Sequence, residues 1–291
     1  MNQKSVLLIA GPTASGKSAL ALQAARARNG VIINADSMQV YKELRILTAR
    51  PSVKEEAQSP HRLYGTVNGA EQYSVAQWLA DATIEIMKCW EQDQLPIICG
   101  GTGLYFMALE KGLAKVPPID AAIRDKWRSY EGDLHSELAT RHLVSAAKLN
   151  PADHQRLIRA LEVFDSTGKP LSQWQSEAQQ QSLLKGVGIE RYYVNGAREE
   201  LYARAEKRFD LMIEQGALAE VEALPDLDAA MPLMKAIGVP QLRAYLANLL
   251  TLDDAIAQSK IATRHYIKRQ TTWFRGQMKN WPVTPPLAGP K

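Results

Sequence analysis

In the first hundred residues, short apolar runs alternate with glycine-marked turns and stretches of helical period. Ser5 to Ala10 is a continuous apolar run of strand length, the pattern of a strand covered on both faces. Ser18 to Arg28, rich in Ala and Leu, follows with a helical pattern, and Val31 to Asn34 is a second short strand. From Gln72 to Gln92, Val75, Leu79, Ala82, Ile86 and Cys89 fall three or four apart, so one helix face is apolar. Leu95 to Cys99 is a third buried strand, ended by Gly100-Gly101-Thr102-Gly103 and a short helix. Repeated strand, glycine turn and helix predict a parallel sheet with helices on its faces. At Ala114 the pattern changes. Lys115-Val116-Pro117-Pro118 interrupts it, and the chain then reads as helical to about Gln181, with breaks at Asn150-Pro151 and Gly168-Lys169-Pro170. The polar run Gln173 to Ser182 reads as an exit linker and Ile189 to Val194 as a returning strand. Arg198 to Trp281 is expected to be helical and to pack back on the sheet, and Pro282 to Lys291 to be a flexible tail. The expected organisation is a core from 1–113 and 187–291 interrupted by a helical insertion at 114–186.

Composition narrows the class without changing this picture. Of 291 residues, 46% are hydrophobic and 23% charged, which excludes a disordered or fibrous chain. No apolar run approaches the roughly 20 residues of a membrane helix, so no membrane partner is expected. Met-Asn-Gln-Lys leads directly into a strand, which predicts no signal peptide. The two cysteines, Cys89 and Cys99, have no metal-site spacing. These features together predict a cytoplasmic protein. The net charge of +4 names no partner, but its distribution is uneven. After Asp254 there is no further acid, whereas Lys260, Arg264, Lys268, Arg269, Arg275, Lys279 and Lys291 follow, several at helical spacing. That stripe favours a polyanion-facing surface, with the interleaved Tyr266, Trp273 and Phe274 assigned to the core.

Between the first strand and helix lies Gly11-Pro12-Thr13-Ala14-Ser15-Gly16-Lys17-Ser18, a complete P-loop pattern. Its glycines let successive amide N–H groups turn inward on an anion, and the following helix adds its positive dipole end. Lys17 supplies a point charge, and the Ser18 hydroxyl is the natural contact for Mg²⁺. The expected fold is therefore α/β, a P-loop NTPase-like parallel sheet core with a helical insertion domain. A P-loop does not say which phosphate is bound. An ATPase or kinase usually ends another strand in an acid that helps hold Mg²⁺, but the Leu95–Cys99 strand ends in glycines and Thr102. The acid at a strand end on the same side is Asp36. Ligands in open α/β sheets sit at the carboxyl ends of strands, so Lys17, Asp36 and Thr102 should meet in one crevice. Asp36 alone also fits a helix cap, and Thr102 alone a purely structural role. A P-loop kinase of ATP-binding type and a non-catalytic RNA-binding module both stay open on these residues.

The motifs taken together resemble the tRNA dimethylallyltransferase family. The resemblance rests on the P-loop, on Asn34-Ala35-Asp36-Ser37-Met38-Gln39-Val40-Tyr41 and on Gly100-Gly101-Thr102-Gly103-Leu104-Tyr105. It continues through Asn150-Pro151, Asp153, Arg156 and Arg159-Ala160-Leu161-Glu162-Val163, then Arg204 to Phe209, Ala236-Ile237-Gly238, Thr263-Arg264 and Lys268-Arg269-Gln270. It implies transfer of a dimethylallyl group from dimethylallyl diphosphate to N6 of adenosine 37, beside the anticodon of tRNAs reading codons that begin with U. Gly11 to Ser18 would hold the diphosphate, Lys17 and Arg208 would neutralise the leaving group, and Ser18 would help hold Mg²⁺. Asp36 would take a proton from the amine and Thr102 would fix the base edge. The resemblance places contacts to the tRNA anticodon stem-loop at Asp36, Ser37, Met38, Gln39, Thr102, Arg124, Gln155, Arg156, Leu157, Ile158 and Arg159. One chain covering both substrates implies a monomer, and the lack of a zinc-finger extension resembles the bacterial form.

The chain departs from the family pattern at several loops. Leu47 stands where a glycine is usual, the segment around Tyr64 lacks a second histidine and an aspartate, and Val239-Pro240 replaces a tyrosine and a basic residue. The insertion before Asn150 is short, and Asp120-Ala121 replaces an Asp-Pro. None of these touches Lys17, Asp36, Thr102 or Arg208.

Overall fold

A computed structural model describes residues 4–178 and 182–284. The chain forms two compact units, one from 1–107 with 186–291 and the other from 108–185. In chain order the first unit begins with β1 (Ser5–Ala10), α1 (Lys17–Ala27), β2 (Gly30–Asn34), α2 (Val53–Glu56), β3 (His61–Arg62), α3 (Val75–Glu91) and β4 (Leu95–Gly100). Helix α4 (Gly103–Lys111) leads into the second unit, which holds α5 (Ala121–Arg128), α6 (Leu134–Ala146), α7 (His154–Thr167) and α8 (Leu171–Ala178). The first unit then resumes with β5 (Gly188–Val194), α9 (Arg198–Glu214), α10 (Ala217–Glu222), a 3₁₀ turn at Leu233–Lys235, α11 (Val239–Leu246), α12 (Leu252–Gln277) and β6 (Val283–Thr284).

The parallel sheet has six strands in the order β3-β2-β4-β1-β5-β6, and every neighbouring pair is parallel. Strands β2 and β4 are buried at every residue and β1 at all but its first, which is why each reads as an unbroken apolar run rather than an alternation. Strands β3 and β6 are two residues each, too short to carry a periodic signal, and neither was expected. Strand β6 lies in the stretch read as a flexible tail; it is ordered because its backbone pairs with β5, while residues 285–291 lie outside the described residues. The register aligns Ile9 with Cys99 and Asn34 with Cys99, so β1, β2 and β4 end level. The loops after Ala10, Asn34 and Gly100 therefore open on the same edge of the sheet.

Helix α3 starts at a capping box in which Ser74 accepts from the Gln77 N–H, and it buries Trp78, Ala82, Ile86 and Cys89. The segment from Val40 to Leu47 packs with α9 to α12 around Leu44, Phe209, Met212, Leu233 and Leu242. The basic stripe of α12 is less bare than its own sequence suggests. Lys260 pairs with Asp210 at 2.6 Å and Arg264 pairs with Glu206, both acids supplied by α9. Phe274 does belong to the core, packed against the rings of Tyr193 and Phe106.

In the second unit, Trp127, Leu134, Leu138, Leu157 and Leu161 form the core. Asp165 accepts from Lys126, the Trp127 indole and Arg141, tying α5, α6 and α7 at one point. The polar run read as a linker is instead helical from Gln173 to Ala178 within α8, and residues 179–181 lie outside the described residues. Polarity alone does not stop a helix where no Gly or Pro intervenes, and Lys169 sits over the Trp174 ring 4.1 Å from its centroid.

Candidate active site

The P-loop wraps from β1 into α1, with Gly16 at the helix N-cap in the left-handed region (φ 86°), a conformation that costs an L residue but not glycine. Ala14 also has positive φ (62°), so the loop is strained at a non-glycine position. Ser15 N–H donates to the Pro12 carbonyl at 3.2 Å, closing the turn. Lys17 extends back along the loop to within 3.4 Å of the Pro12 carbonyl. Burial lowers the Lys17 pKa from the usual lysine value; Cys99 and the Asp36 carboxylate oppose that shift, and Arg208 adds to it.

Asp36 is set by its own strand end. Asn34, fully buried, accepts from the Asp36 N–H at 2.8 Å and donates to the Asp36 and Leu63 carbonyls at 2.9 and 3.1 Å. The Trp78 indole donates to the Asn34 carbonyl at 2.7 Å. Asp36 Oδ1 in turn accepts from the Met38 N–H at 2.9 Å, an Asx-turn rather than the helix cap that its position also allowed. Thr102 Oγ1 accepts from the Ser37 N–H at 2.9 Å and donates to the Ser37 hydroxyl at 3.3 Å. Its hydroxyl thus holds the Asp36–Ser37 turn against the end of β4.

Arg208, from α9, reaches the same place and donates to Thr13 Oγ1 at 3.4 Å. Burial lowers its pKa, and the Asp36 carboxylate opposes the shift. Thr13, Asp36, Ser37, Met38 and Arg208 line one cavity of about 230 Å³. Leu47, Phe209, Met212, Ala236 and Ile237 give it an apolar wall, and Tyr266 and Arg269 of α12 another side. Three cations (Arg208, Lys235 and Arg269), one carboxylate and an apolar wall suit a ligand with an anionic head and a hydrocarbon tail; Lys17 and Thr102 are not among the lining residues. Leu47 is 8% exposed and packs on Gly238, so the loop departure at that position falls inside the cavity wall.

Two α12 residues take parts that the sequence reading did not assign. Tyr266, expected in the core, lines the cavity, where burial and the Asp36 carboxylate raise its pKa. Gln270, 5% exposed, accepts from the Thr13 N–H at 2.9 Å and donates to the Gly101 carbonyl at 3.0 Å. The signal was present in the spacing: Ala255, Ser259, Ile267, Gln270 and Phe274 share the buried face, and Gln270 is the long polar side chain among them.

The remaining expected contact residues lie in the second unit. Arg124 is exposed on α5, and Gln155, Arg156, Leu157, Ile158 and Arg159 form the start of α7. Arg156 pairs with Asp153 at 3.2 Å, and Arg159 with Glu162 at 3.4 Å. Leu157 is fully buried, so its side chain anchors the helix core rather than facing a ligand, and the half-buried Ile158 packs on the same cluster.

Metal-ligating chemistry is sparse. Among the described residues no three His, Cys, Asp or Glu cluster as a metal site. The Ser18 hydroxyl, which hydrogen-bonds the Cys99 thiol, and the Asp36 carboxylate are hard oxygen donors. That set fits a cation that keeps its waters and takes further ligands from a bound diphosphate, the habit of Mg²⁺.

Fold and site together define a P-loop α/β protein whose cavity sets cations and a carboxylate against an apolar wall. The family model for IPP transferase matches residues 39–277. The tRNA dimethylallyltransferase of Azorhizobium caulinodans is 52% identical over 94% of this chain and 90% of its own length. That of Methylobacterium nodulans is 50% identical over 94% and 93%. Among solved structures, the tRNA isopentenylpyrophosphate transferase of Bacillus halodurans superposes with a TM-score of 0.67 at 32% identity, covering 98% of this chain and 89% of that one. A eukaryotic dimethylallyltransferase captured acting on tRNA gives 0.84 at 27% identity, covering 97% and 74%. The chain belongs to the IPP transferase family, the tRNA dimethylallyltransferases, and is a prenyltransferase.

Proposed function

We propose that the enzyme transfers the dimethylallyl group of dimethylallyl diphosphate to N6 of adenosine 37 in tRNAs that read codons beginning with U, releasing diphosphate. The observation that carries this reading is the cavity that Thr13, Arg208, Asp36 and an apolar wall line together. The N6–carbon bond forms as the allylic carbon–oxygen bond breaks; the electron pair leaves with the diphosphate and the amine proton passes to Asp36. The P-loop amides, Lys17 and Arg208 receive the negative charge that accumulates on the leaving oxygen. Burial lowers the pKa of both cations, and a polyanion bound beside them would oppose that shift, so the charged forms are favoured most when the diphosphate is present. Mg²⁺, held by Ser18 and the diphosphate oxygens, would add Lewis-acid stabilisation of the same leaving group.

An exocyclic adenine amine is a weak nucleophile, because its lone pair is delocalised into the ring. Orientation is therefore worth much, up to about 7–11 kcal/mol for well-aligned reactants. Asp36 is held for that task by Asn34 and by Thr102 through Ser37. Thr102, with its hydroxyl engaged by Ser37, supports the base edge through this turn. The target base must leave the anticodon-loop stack, at a cost of a few kcal/mol. Arg124, Gln155, Arg156 and Arg159 of the second unit are assigned to the tRNA backbone contacts that offset it. No helix among the described residues is long and apolar enough to cross a membrane. The enzyme is assigned to the cytoplasm, as a monomer.

The test combines the protein, Mg²⁺, radiolabelled dimethylallyl diphosphate and unmodified tRNA, with γ-labelled ATP in a parallel tube. Label entering the RNA, and lost when adenosine 37 is replaced by guanosine, is the expected result. ATP consumption with no label in RNA would overturn it in favour of a small-metabolite kinase.

A further inference from the structure

Two hydrogen-bonded branches leave the cavity. One runs through the P-loop, from Thr13 to Arg208. The other runs from the Gly100–Thr102 turn through Thr102 and Ser37 to Asp36. They come from different strands, β1 and β4, and their separation decides whether leaving group and base can act on one substrate pair at once. Gln270 is the side chain that bonds to both. Its Oε1 takes the Thr13 N–H at 2.9 Å and its Nε2 gives a proton to the Gly101 carbonyl at 3.0 Å. Because that carboxamide holds the Thr13 amide, Thr13 is fixed with its hydroxyl toward Arg208. A Cβ on Gly101 would collide with Gln270 Nε2, so the turn and the carboxamide are closely fitted. The amide has one acceptor and one donor engaged at sequence separations of 257 and 169 residues, and it is 5% exposed. A buried carboxamide with both ends satisfied holds its neighbours in one geometry, whereas an apolar residue of the same size would fill the space without fixing it.

We propose that Gln270 is a positioning residue for the transfer reaction, setting the distance between the diphosphate cradle and the Asp36 turn. The inference rests on the diphosphate and base roles given above. It places the effect in turnover more than in the binding of either substrate, because Lys17, Arg208 and the other P-loop residues still form the cradle, and Asn34 and Thr102 still hold the Asp36 turn, when the bridge is removed. Misplacement by about 1 Å between reacting groups can cost on the order of 100-fold in rate.

The experiment compares wild type, Q270M and Q270E at saturating dimethylallyl diphosphate and tRNA, with pyrophosphate affinity measured by calorimetry. Q270M keeps the volume and removes both bonds; Q270E keeps the acceptor for Thr13 and removes the donor to Gly101, and serves if Q270M does not fold. F274L is the control, a loss of packing one turn further along α12 that lowers the melting temperature through the core alone. The expected result is a fall in kcat of tenfold or more in the Q270 variant, with KM for tRNA and pyrophosphate affinity of Q270M within about threefold of wild type, and kcat of F274L unchanged. A kcat within twofold of wild type, or a loss confined to KM for dimethylallyl diphosphate, would overturn the inference while the proposed function stands. Absence of transfer by the wild type itself would overturn both.

Discussion

Asp36 could not serve as a base from a free loop, and the residues that fix it are uncharged. Asn34 spends its whole carboxamide on the turn: one acceptor for the Asp36 N–H and two donor contacts to the Asp36 and Leu63 carbonyls. Thr102 clamps the next residue. The D36N variant keeps this frame, because an amide oxygen still accepts from Met38 N–H. It should lose about 10²- to 10⁴-fold in kcat, the usual worth of a positioned proton acceptor, while tRNA affinity by filter binding stays within a few-fold. Loss of tRNA binding in parallel with turnover would instead make Asp36 a binding residue. Cys99 gives a second, pH-dependent test. Burial pushes its thiol up to about 11, opposed by Lys17, so the folded state disfavours the thiolate that the unfolded chain forms near its ordinary value of 9.0. A raised folded pKa contributes stability that is present below about pH 9 and lost as pH rises towards 11. Melting followed from pH 8 to 11 should fall more steeply for wild type than for C99A, and equal slopes would refute the assignment.

Helices position the site as much as loops do. Glu220, on α10, accepts from three consecutive backbone N–H groups, those of Arg45, Ile46 and Leu47, at 2.6, 2.8 and 2.9 Å. A carboxylate capping three amides holds a segment that has no regular structure of its own, and that segment carries Leu47 and Thr48 into the cavity wall. Removing it in E220A leaves three donors to seek water, at about 1–3 kcal/mol for each that stays buried. The melting temperature should drop, and KM for dimethylallyl diphosphate should rise severalfold as the wall loosens; an unchanged KM would separate this loop from substrate binding. Contacts of this kind explain what the sequence could and could not disclose. Strands β1, β2 and β4 were readable because burial on both faces leaves one composition, and the P-loop because its glycines and Lys17 have a single chemical use. The edge strands were not, since two residues carry no period and pairing with β2 or β5 is what orders them. Arg208 was found only through family resemblance, because nothing local separates it from a surface arginine of α9. The partners of two cations in the basic stripe of α12 were illegible for the converse reason: Asp210 and Glu206, which pair with Lys260 and Arg264, lie on another helix about fifty residues earlier.

At the scale of the whole molecule, the proposed function makes two demands, which we assign to two units with separate cores. The sheet unit must hold a small anionic donor tightly in a confined cavity, which calls for burial and fixed hydrogen bonds. Gripping a long polyanion calls for the reverse, exposed cations that release counterions as they meet it. We assign that role to Arg156 and Arg159. They lie three apart at the start of α7, with side chains 68% and 44% exposed, on a helix anchored beneath by Leu157 and Leu161. The Arg156–Asp153 pair is exposed and contributes about 0–1 kcal/mol, whereas Glu162 is buried but keeps Arg128 as a second partner at 3.5 Å when Arg159 is drawn away. Exchange of such a pair for phosphate oxygens is therefore cheap. The R156Q/R159Q variant should leave pyrophosphate affinity unchanged and weaken tRNA binding. The slope of log affinity against log salt should also become shallower by about 1 for each phosphate that an arginine no longer neutralises. The slope is the decisive quantity, because a folding defect lowers the active fraction without changing salt dependence. If affinity falls while the slope stays that of wild type, the two arginines act on the packing of α7, and the tRNA-binding surface must be sought on the remaining exposed cations, Arg124 foremost.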